Sequence, residues 1–383
     1  MQNQFVIDDT VVKLSLPANA TDAITIRSVP YNYTVNFISK ADLIKELQAL
    51  AAHNKEKHFI YIDDVVDKLY TEDMLSGAPT TLINAREKNK NLATAMKLVD
   101  VLQAKNFTKK EVIVSMGGGI TQDITAFARA VFKRGINWVY VPTTLLSMAD
   151  SCIGAKSCLN YKGGKNQLGL FSSPARVLIC DELLRSLPKR DILSGYGEIV
   201  KLVIVGGETT IKLFEKYVST QHGDVLHNII PIIQLSLAVK NSVITIDEFE
   251  ANIRKALNYG HTVGHAIEPL LNYKIPHGIA ISIGMLVENE IAVVYGSLAK
   301  NESAVLKDLI LPYIDAESIS YLKKLDVNDV LNNMKKDKKN LSDEIFLAIP
   351  YAIGKFGMLN VKADNRLKEL LANAFDNLIA GTK

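Results

Sequence analysis

Three of the seven histidines fall within twenty residues: His261 and His265 in Asn258-Tyr-Gly-His-Thr-Val-Gly-His265, and His277 twelve residues later. Four apart, His261 and His265 would share one face of a helix, about a turn from each other. His277 follows Pro276 and opens another run that reads as helix. Imidazoles arranged this way suit zinc and its neighbours among the divalent metals; polar caps at a helix junction are the plainer alternative. Glu198, in Gly195-Tyr-Gly-Glu198-Ile-Val-Lys201, is the best local carboxylate to complete such a set, since sites built on two or three imidazoles commonly take an acidic oxygen. Each glycine inside that helical pattern costs about 1 kcal/mol. The segment therefore needs their small size, for a ligand's approach or for tight helix packing.

Other groups suit anions. Arg254 and Asn258 are four apart, Asn258 stands three before His261, and Lys240 lies on the preceding helical run. Beside a metal, they would form a pocket for a hydroxylated, acidic small molecule; salt-bridged surface helices are the alternative. Asp150-Ser-Cys-Ile-Gly-Ala-Lys156 and Asn160-Tyr-Lys-Gly-Gly-Lys165-Asn166 have little periodicity and carry Lys156, Lys162 and Lys165. Such irregular, glycine-bearing segments are commonly functional, and this one suits phosphate or carboxylate. Gly117-Gly118-Gly119 follows a strand and precedes a helix, as a phosphate or dinucleotide loop requires. It is neither GxGxxG nor a Walker A loop, so a tight turn without ligand is the competing reading. Asp63, ending a strand, would accept a ribose hydroxyl or cap a helix.

These residues must be positioned by two kinds of structure. From Tyr31 to Asp181, apolar β-branched strands alternate with helices, the pattern of a parallel sheet covered on both faces. Before them, Val11–Leu16 reads as a strand or edge hairpin. From Lys189 onward helical patterns dominate, including one over 247–268 and one over 277–298, with a short strand at 345–349. The expectation is an α/β domain over 1–185 and a mostly helical metal- and substrate-binding domain over 186–383, with ligands in the crevice between them. A chain of 383 residues fits two domains, and 44 basic against 41 acidic residues, a net +3, does not argue for a nucleic-acid surface. Three cysteines form neither a disulfide framework nor a metal knuckle. No signal pattern and no run of eighteen uninterrupted apolar residues is present, so a cytoplasmic, non-membrane protein is expected.

A set of motifs in order carries a resemblance. Gly117-Gly-Gly-Ile-Thr-Gln-Asp123, Arg134-Gly135, Pro142-Thr-Thr-Leu-Leu146, Asp150–Lys156, Lys165-Asn166, Gly197-Glu-Ile-Val-Lys201, Leu257–Glu268, His277-Gly278 and Asp337-Lys-Lys339 together resemble the sugar phosphate cyclase superfamily, most closely its 3-dehydroquinate synthase branch. The resemblance spans about residues 58–350 and implies an α/β nucleotide domain, a helical metal domain, bound NAD and zinc (or cobalt), and a homodimer. It implies Glu198, His261 and His277 as metal ligands, with His265 in proton transfer. Asp63, Glu87, Lys90, Gly118, Gly119, Asp123, Thr143, Thr144, Lys165 and Ser186 would contact NAD. Asp150, Lys156, Asn166, Lys201, Lys240, Arg254, Asn258 and Lys338 would line the substrate pocket, and Arg134 would reach the phosphate of the other subunit's substrate. The implied reaction takes a seven-carbon keto acid phosphate through transient oxidation, loss of phosphate, reduction and ring closure. Related cyclases of other sugar phosphates and metal-dependent polyol dehydrogenases are the nearest alternatives, and a catalytically dead binding protein is the remaining one. Where the family usually has glycine, this chain has Gln122 and Ala155, and Arg86-Glu87 replaces its Gly-Glu.

Overall fold

The computed structural model describes the chain apart from residues 1–3, 30, 55–56, 58, 76–77, 222, 337–343 and 382–383. Two compact units are present: Pro17–Leu187, and Met1–Leu16 together with Pro188–Lys383.

The first unit is built on a seven-stranded sheet in the order Ile24–Ile26, Tyr33–Phe37, Arg176–Ile179, Asn137–Pro142, Val112–Gly117, Ile60–Asp63, Thr80–Ile83. All neighbours are parallel except the first pair. The interior strand Val112–Gly117 is buried almost throughout, which is why its sequence reads as a continuous apolar run rather than an alternation. After Ile60–Asp63 the next strand adds on one side and the following one on the other. The chain thus reverses direction across the sheet at the strand ends carrying Asp63 and the triple glycine. Such a switch point is where open α/β sheets bind ligands.

The segment expected to be irregular over 150–173 is ordered differently. A short helical turn, Ser147–Ser151, leads into an antiparallel hairpin of Lys156–Tyr161 and Gly164–Phe171. Lys162 and Gly163 turn it with φ of 47° and 79°, the paired left-handed conformation of a tight hairpin turn. The sequence hides this hairpin because the inward positions of its first strand are Ser157 and Leu159, and one large apolar residue is too few to register as an alternation.

The second unit packs helices, among them Lys189–Val205, Ile229–Ile244, His261–Leu270 and His277–Val294, with a four-stranded sheet. That sheet corrects the expected domain division. Its order is Glu344–Ala352, Lys355–Lys362, Gln4–Ile7, Thr10–Lys13, so the first sixteen residues belong with the helical unit and not with the nucleotide domain. Gln4–Ile7 forms the expected hairpin with Thr10–Lys13 and pairs in parallel with Lys355–Lys362, a strand the sequence reading missed. A four-residue strand shows that it needs a ladder partner but not which one. The helix expected over 247–268 is also divided. A tight turn, Ile253–Asn258, is followed by Gly260 at φ 77°, and the helix proper starts at His261. His277–Val294 is long and apolar enough to span a membrane, yet 78% of it is buried inside the protein. It is the core helix of its unit.

Candidate active site

Three helices bring the metal-type residues together. Glu198 lies in the middle of Lys189–Val205, His261 opens its helix, and His277 opens the next. Glu198 Oε1 is 3.2 Å from His277 Nε2 and 3.6 Å from His261 Nε2. Ligand atoms around a tetrahedral ion with bonds of about 2.0–2.2 Å stand about 3.3–3.6 Å apart, so this donor set fits one divalent ion. His265 faces the same way: one nitrogen from each of His261, His265 and His277 falls within 4.8 Å of the others. The spacing argument for a shared helix face therefore holds, and the geometry by itself does not separate His265 from the other two imidazoles as a ligand.

Close approach of helix backbones makes this convergence possible. A Cβ on Gly278 would lie 1.8 Å from the Ser194 carbonyl oxygen, and one on Gly197 would lie 2.1 Å from that of Gly278. Real Cβ atoms do not come so near, so the two helices touch through glycine, and Gly278 N–H donates to Ser194 Oγ at 2.9 Å. Tight packing is thus why Gly197 tolerates its helical position. The His261 helix is seated on His277–Val294 in the same manner, where a Cβ on Gly284 would meet the Gly260 oxygen at 2.0 Å. Glu288, fully buried and missed by the sequence reading, accepts from Gly260 N–H at 2.8 Å and Val263 N–H at 3.2 Å and so caps that helix's first turn.

Lys201 lies one turn after Glu198, and its ammonium contacts Glu198 Oε2. Burial alone would push the Glu198 carboxyl up, but Lys201 and His277 together hold it well below the ordinary carboxylate range. Arg254 is 2% exposed and donates to the Glu248 carbonyl. Its turn is organised by Asp247, whose carboxylate accepts from the backbone of Ala251, Asn252 and Arg254 at 2.8–3.0 Å. Burial opposes the Asp247 charge, but these three donors outweigh it and hold its carboxyl below the usual value. Asn258 Nδ2 donates to Glu250 Oε1 at 2.6 Å, and Lys240 is buried on Ile229–Ile244. Lys338 lies outside the described residues.

In the α/β unit, the glycine turn has a mixed explanation. A Cβ on Gly117 would meet Thr121 at 2.6 Å, so a side chain there would force a shift, and one on Gly118 would press on the Thr144 side chain at 3.0 Å. One on Gly119 would find only Ser151 Oγ, 3.7 Å away. The helix Gly119–Val131 has no side-chain cap at its start, which suits an anionic ligand. Asp63 caps the helix after its strand, accepting from Val65 N–H at 2.8 Å. Lys90 and Asp123 form a buried ion pair at 2.7 Å. Burial opposes the Lys90 charge, yet Asp123 raises its pKa overall. Glu87 Oε1 accepts from Asn160 Nδ2 at 2.7 Å, and Asn160 Oδ1 accepts from Asn166 N–H at 2.8 Å. Asn160 thus ties the nucleotide-side Glu87 to the hairpin, a linking role that no spacing rule exposed. Thr144 Oγ1 donates to Ser147 Oγ at 2.8 Å, Thr143 N–H donates to the Gly117 carbonyl at 3.1 Å, and Ser186 Oγ pairs with Tyr70 at 2.6 Å.

Gln122 exchanges two hydrogen bonds with Ser151, Nε2 to carbonyl at 2.9 Å and Ser151 Oγ to Oε1 at 2.7 Å, clamping the segment that carries Asp150. Ala155 is buried at φ 58°, a left-handed conformation that glycine adopts more readily. Asp150 is half-buried and Lys156 exposed; Lys165 lies half-buried in the second hairpin strand. Arg134 is exposed, in a turn where Lys133, Arg134 and Gly135 all have positive φ.

Comparison with known proteins covers most of the chain. Residues 80–194 match the family described as 3-dehydroquinate synthase N-terminal, and residues 195–340 match the C-terminal one. The 3-dehydroquinate synthase of Pelagibacter ubique (strain HTCC1062) is 37% identical over 310 residues, 77% of this chain and 82% of that protein. Among solved structures, a 2-deoxy-scyllo-inosose synthase complexed with carbaglucose-6-phosphate, NAD+ and Co2+ superposes with a TM-score of 0.80 at 22% identity, covering 92% of this chain and 99% of that one. The 2-epi-5-epi-valiolone synthase from Streptomyces hygroscopicus subsp. jinggangensis 5008, with NAD+ and Zn2+ bound, gives 0.73 at 22% identity, covering 93% and 99%.

Proposed function

This chain belongs to the 3-dehydroquinate synthase family, and from that premise we propose that it converts 3-deoxy-D-arabino-heptulosonate 7-phosphate into 3-dehydroquinate and phosphate. It is a phosphate-eliminating carbon–oxygen lyase that uses NAD and a divalent metal, zinc or cobalt. The observation that carries the site assignment is the approach of Glu198 Oε1 to the Nε2 atoms of His277 and His261, at 3.2 and 3.6 Å.

When bound, the metal supplies polarisation of the substrate's vicinal oxygens, and NAD supplies a hydride acceptor that later returns what it took. The protein's own groups bind, orient and move protons. Lys201, buried against Glu198, and His265, beside both metal-facing imidazoles, exchange protons with the substrate hydroxyls. Arg254 holds the substrate carboxylate, with Lys240 and Asn258 in the same pocket. Its guanidinium is pre-aimed by the turn that Asp247 organises, so little orientation is lost on binding. Lys156 and Asn166 hold the phosphate, and Arg134, exposed on its own turn, serves the phosphate of a second copy's substrate in a homodimer. Asp63, Glu87, Gly118 and Thr144 hold NAD. A soluble cytoplasmic setting accords with these small, charged ligands.

Purified protein given NAD, zinc and the heptulosonate phosphate should release one phosphate per carbocycle formed, with no net NADH. Accumulating NADH with a polyol would reassign the chain to the dehydrogenases. Turnover of sedoheptulose 7-phosphate alone would reassign it to another cyclase branch.

A further inference from the structure

Both metal-facing imidazoles have their second ring nitrogen engaged, but by different kinds of acceptor. His261 Nδ1 is 3.1 Å from the Tyr259 carbonyl oxygen, a neutral dipole. His277 Nδ1 is 3.1 Å from Glu268 Oε1, and Glu268 is only 2% exposed. Glu268 stands three residues after His265 and seven after His261, so all three lie on one face of His261–Leu270. One helix face therefore supplies a ligand, a proton-carrying neighbour and the support for a ligand borne by the next helix. An ionised carboxylate can only accept, so this contact puts a proton on Nδ1 and leaves Nε2 to face Glu198, 3.2 Å away.

We propose that Glu268 is a positioning residue of the metal site: it fixes the tautomer and ring orientation of His277 and strengthens it as a donor, without itself touching the ion. This rests on the reading of Glu198, His261 and His277 as the ligand set. It makes the two histidines unequal, His277 being backed by a full negative charge and His261 by a dipole.

The test titrates metal-free wild type, Glu268→Gln and Glu268→Ala with Zn2+ against a chromophoric chelator, and records the visible absorption of each protein loaded with Co2+. Glu268→Ala should bind zinc about 10–100-fold more weakly. Glu268→Gln should fall between, since its amide oxygen still accepts from Nδ1–H but carries no charge. Its cobalt bands should shift while the melting temperature of the metal-free protein stays at the wild-type value. If the Ala variant fails to fold, the isosteric Gln variant carries the result. Wild-type affinity and unchanged cobalt bands in Glu268→Gln would overturn the inference. Absence of any tight zinc site in the wild type would instead overturn the metal reading on which it rests.

Discussion

Around Glu198, His261 and His277, helices touch through glycine so closely that an added methyl on Gly278 would fall 1.8 Å from a backbone oxygen. Around Asp150, Lys156 and Asn166 the chain is held by turns, with Ala155, Lys162 and Asn166 at φ of 58°, 47° and 54°. The first region sets its geometry through backbone contact and buried carboxylates, and it leaves no room for side-chain change. The second sets its geometry through local turns, Ala155 and Lys162 each storing about 1–2 kcal/mol of conformational strain, and it accepts substitutions such as Gln122. A ligand set that must match an ion's bond lengths is thus fixed by packing. The surface proposed to hold the phosphate ester is built on turns that can vary.

The largest expected effect comes from breaking the packed side. Gly278→Ala should force Lys189–Val205 and His277–Val294 apart, destabilise the protein by about 3 kcal/mol or more, and remove bound metal and turnover together. Urea melts and metal analysis would check it; a variant with full metal content would show that the glycine contact does not set the ligand geometry. Next is Asp247→Asn, which weakens the turn presenting Arg254 at a cost of about 1.5–3 kcal/mol. Because the Asp247 pKa is depressed in the folded protein, its contribution is present above the ordinary aspartate value and is lost as pH falls through the lower folded one. The gap in melting temperature between variant and wild type should therefore be full at pH 7 and shrink below about pH 4. A gap that does not change with pH would mean that the carboxylate charge contributes nothing.

Smaller effects are expected on the turn-built side, and they should leave the metal alone. Gln122→Ala removes two hydrogen bonds to Ser151 and should cost about 1–2 kcal/mol, with a weaker KM for substrate and unchanged zinc stoichiometry. Loss of zinc there would erase the contrast between the regions. Smallest is Ala155→Gly. Relief of the left-handed conformation, about 1–2 kcal/mol, is partly offset by the glycine's greater unfolded-state freedom, about 0.4–1 kcal/mol. A rise of a degree or two in melting temperature is expected at unchanged turnover, and calorimetry would detect it.

The same contrast governs what could be read from the sequence. Histidines on a helix keep their spacing, so the shared face of His261 and His265 was legible, and the apolar strands announced the parallel sheet. Residue types alone nominate Glu198 only as the best local carboxylate, and the family resemblance is what implies it as a ligand, because its approach depends on a glycine contact 81 residues along the chain, between Gly197 and Gly278. Glu288 was invisible for a similar reason: a carboxylate inside an apolar helix does not say which backbone amides it caps. The hairpin over 156–171 looks irregular in the sequence because Ser157, Cys158 and Gly169 occupy places where larger apolar residues would mark a strand. The pairing of the N-terminal hairpin with Lys355–Lys362 joins opposite ends of the chain, and no local pattern encodes such a partner.

The central claim is that Glu198, His261 and His277 hold one divalent ion. Metal analysis of wild type and His277→Ala, purified alike and dialysed against the same weak chelator, tests it most directly. One ion per wild-type chain and almost none in the variant, with loss of turnover, is the predicted result; a variant that retains the wild-type metal stoichiometry would contradict it.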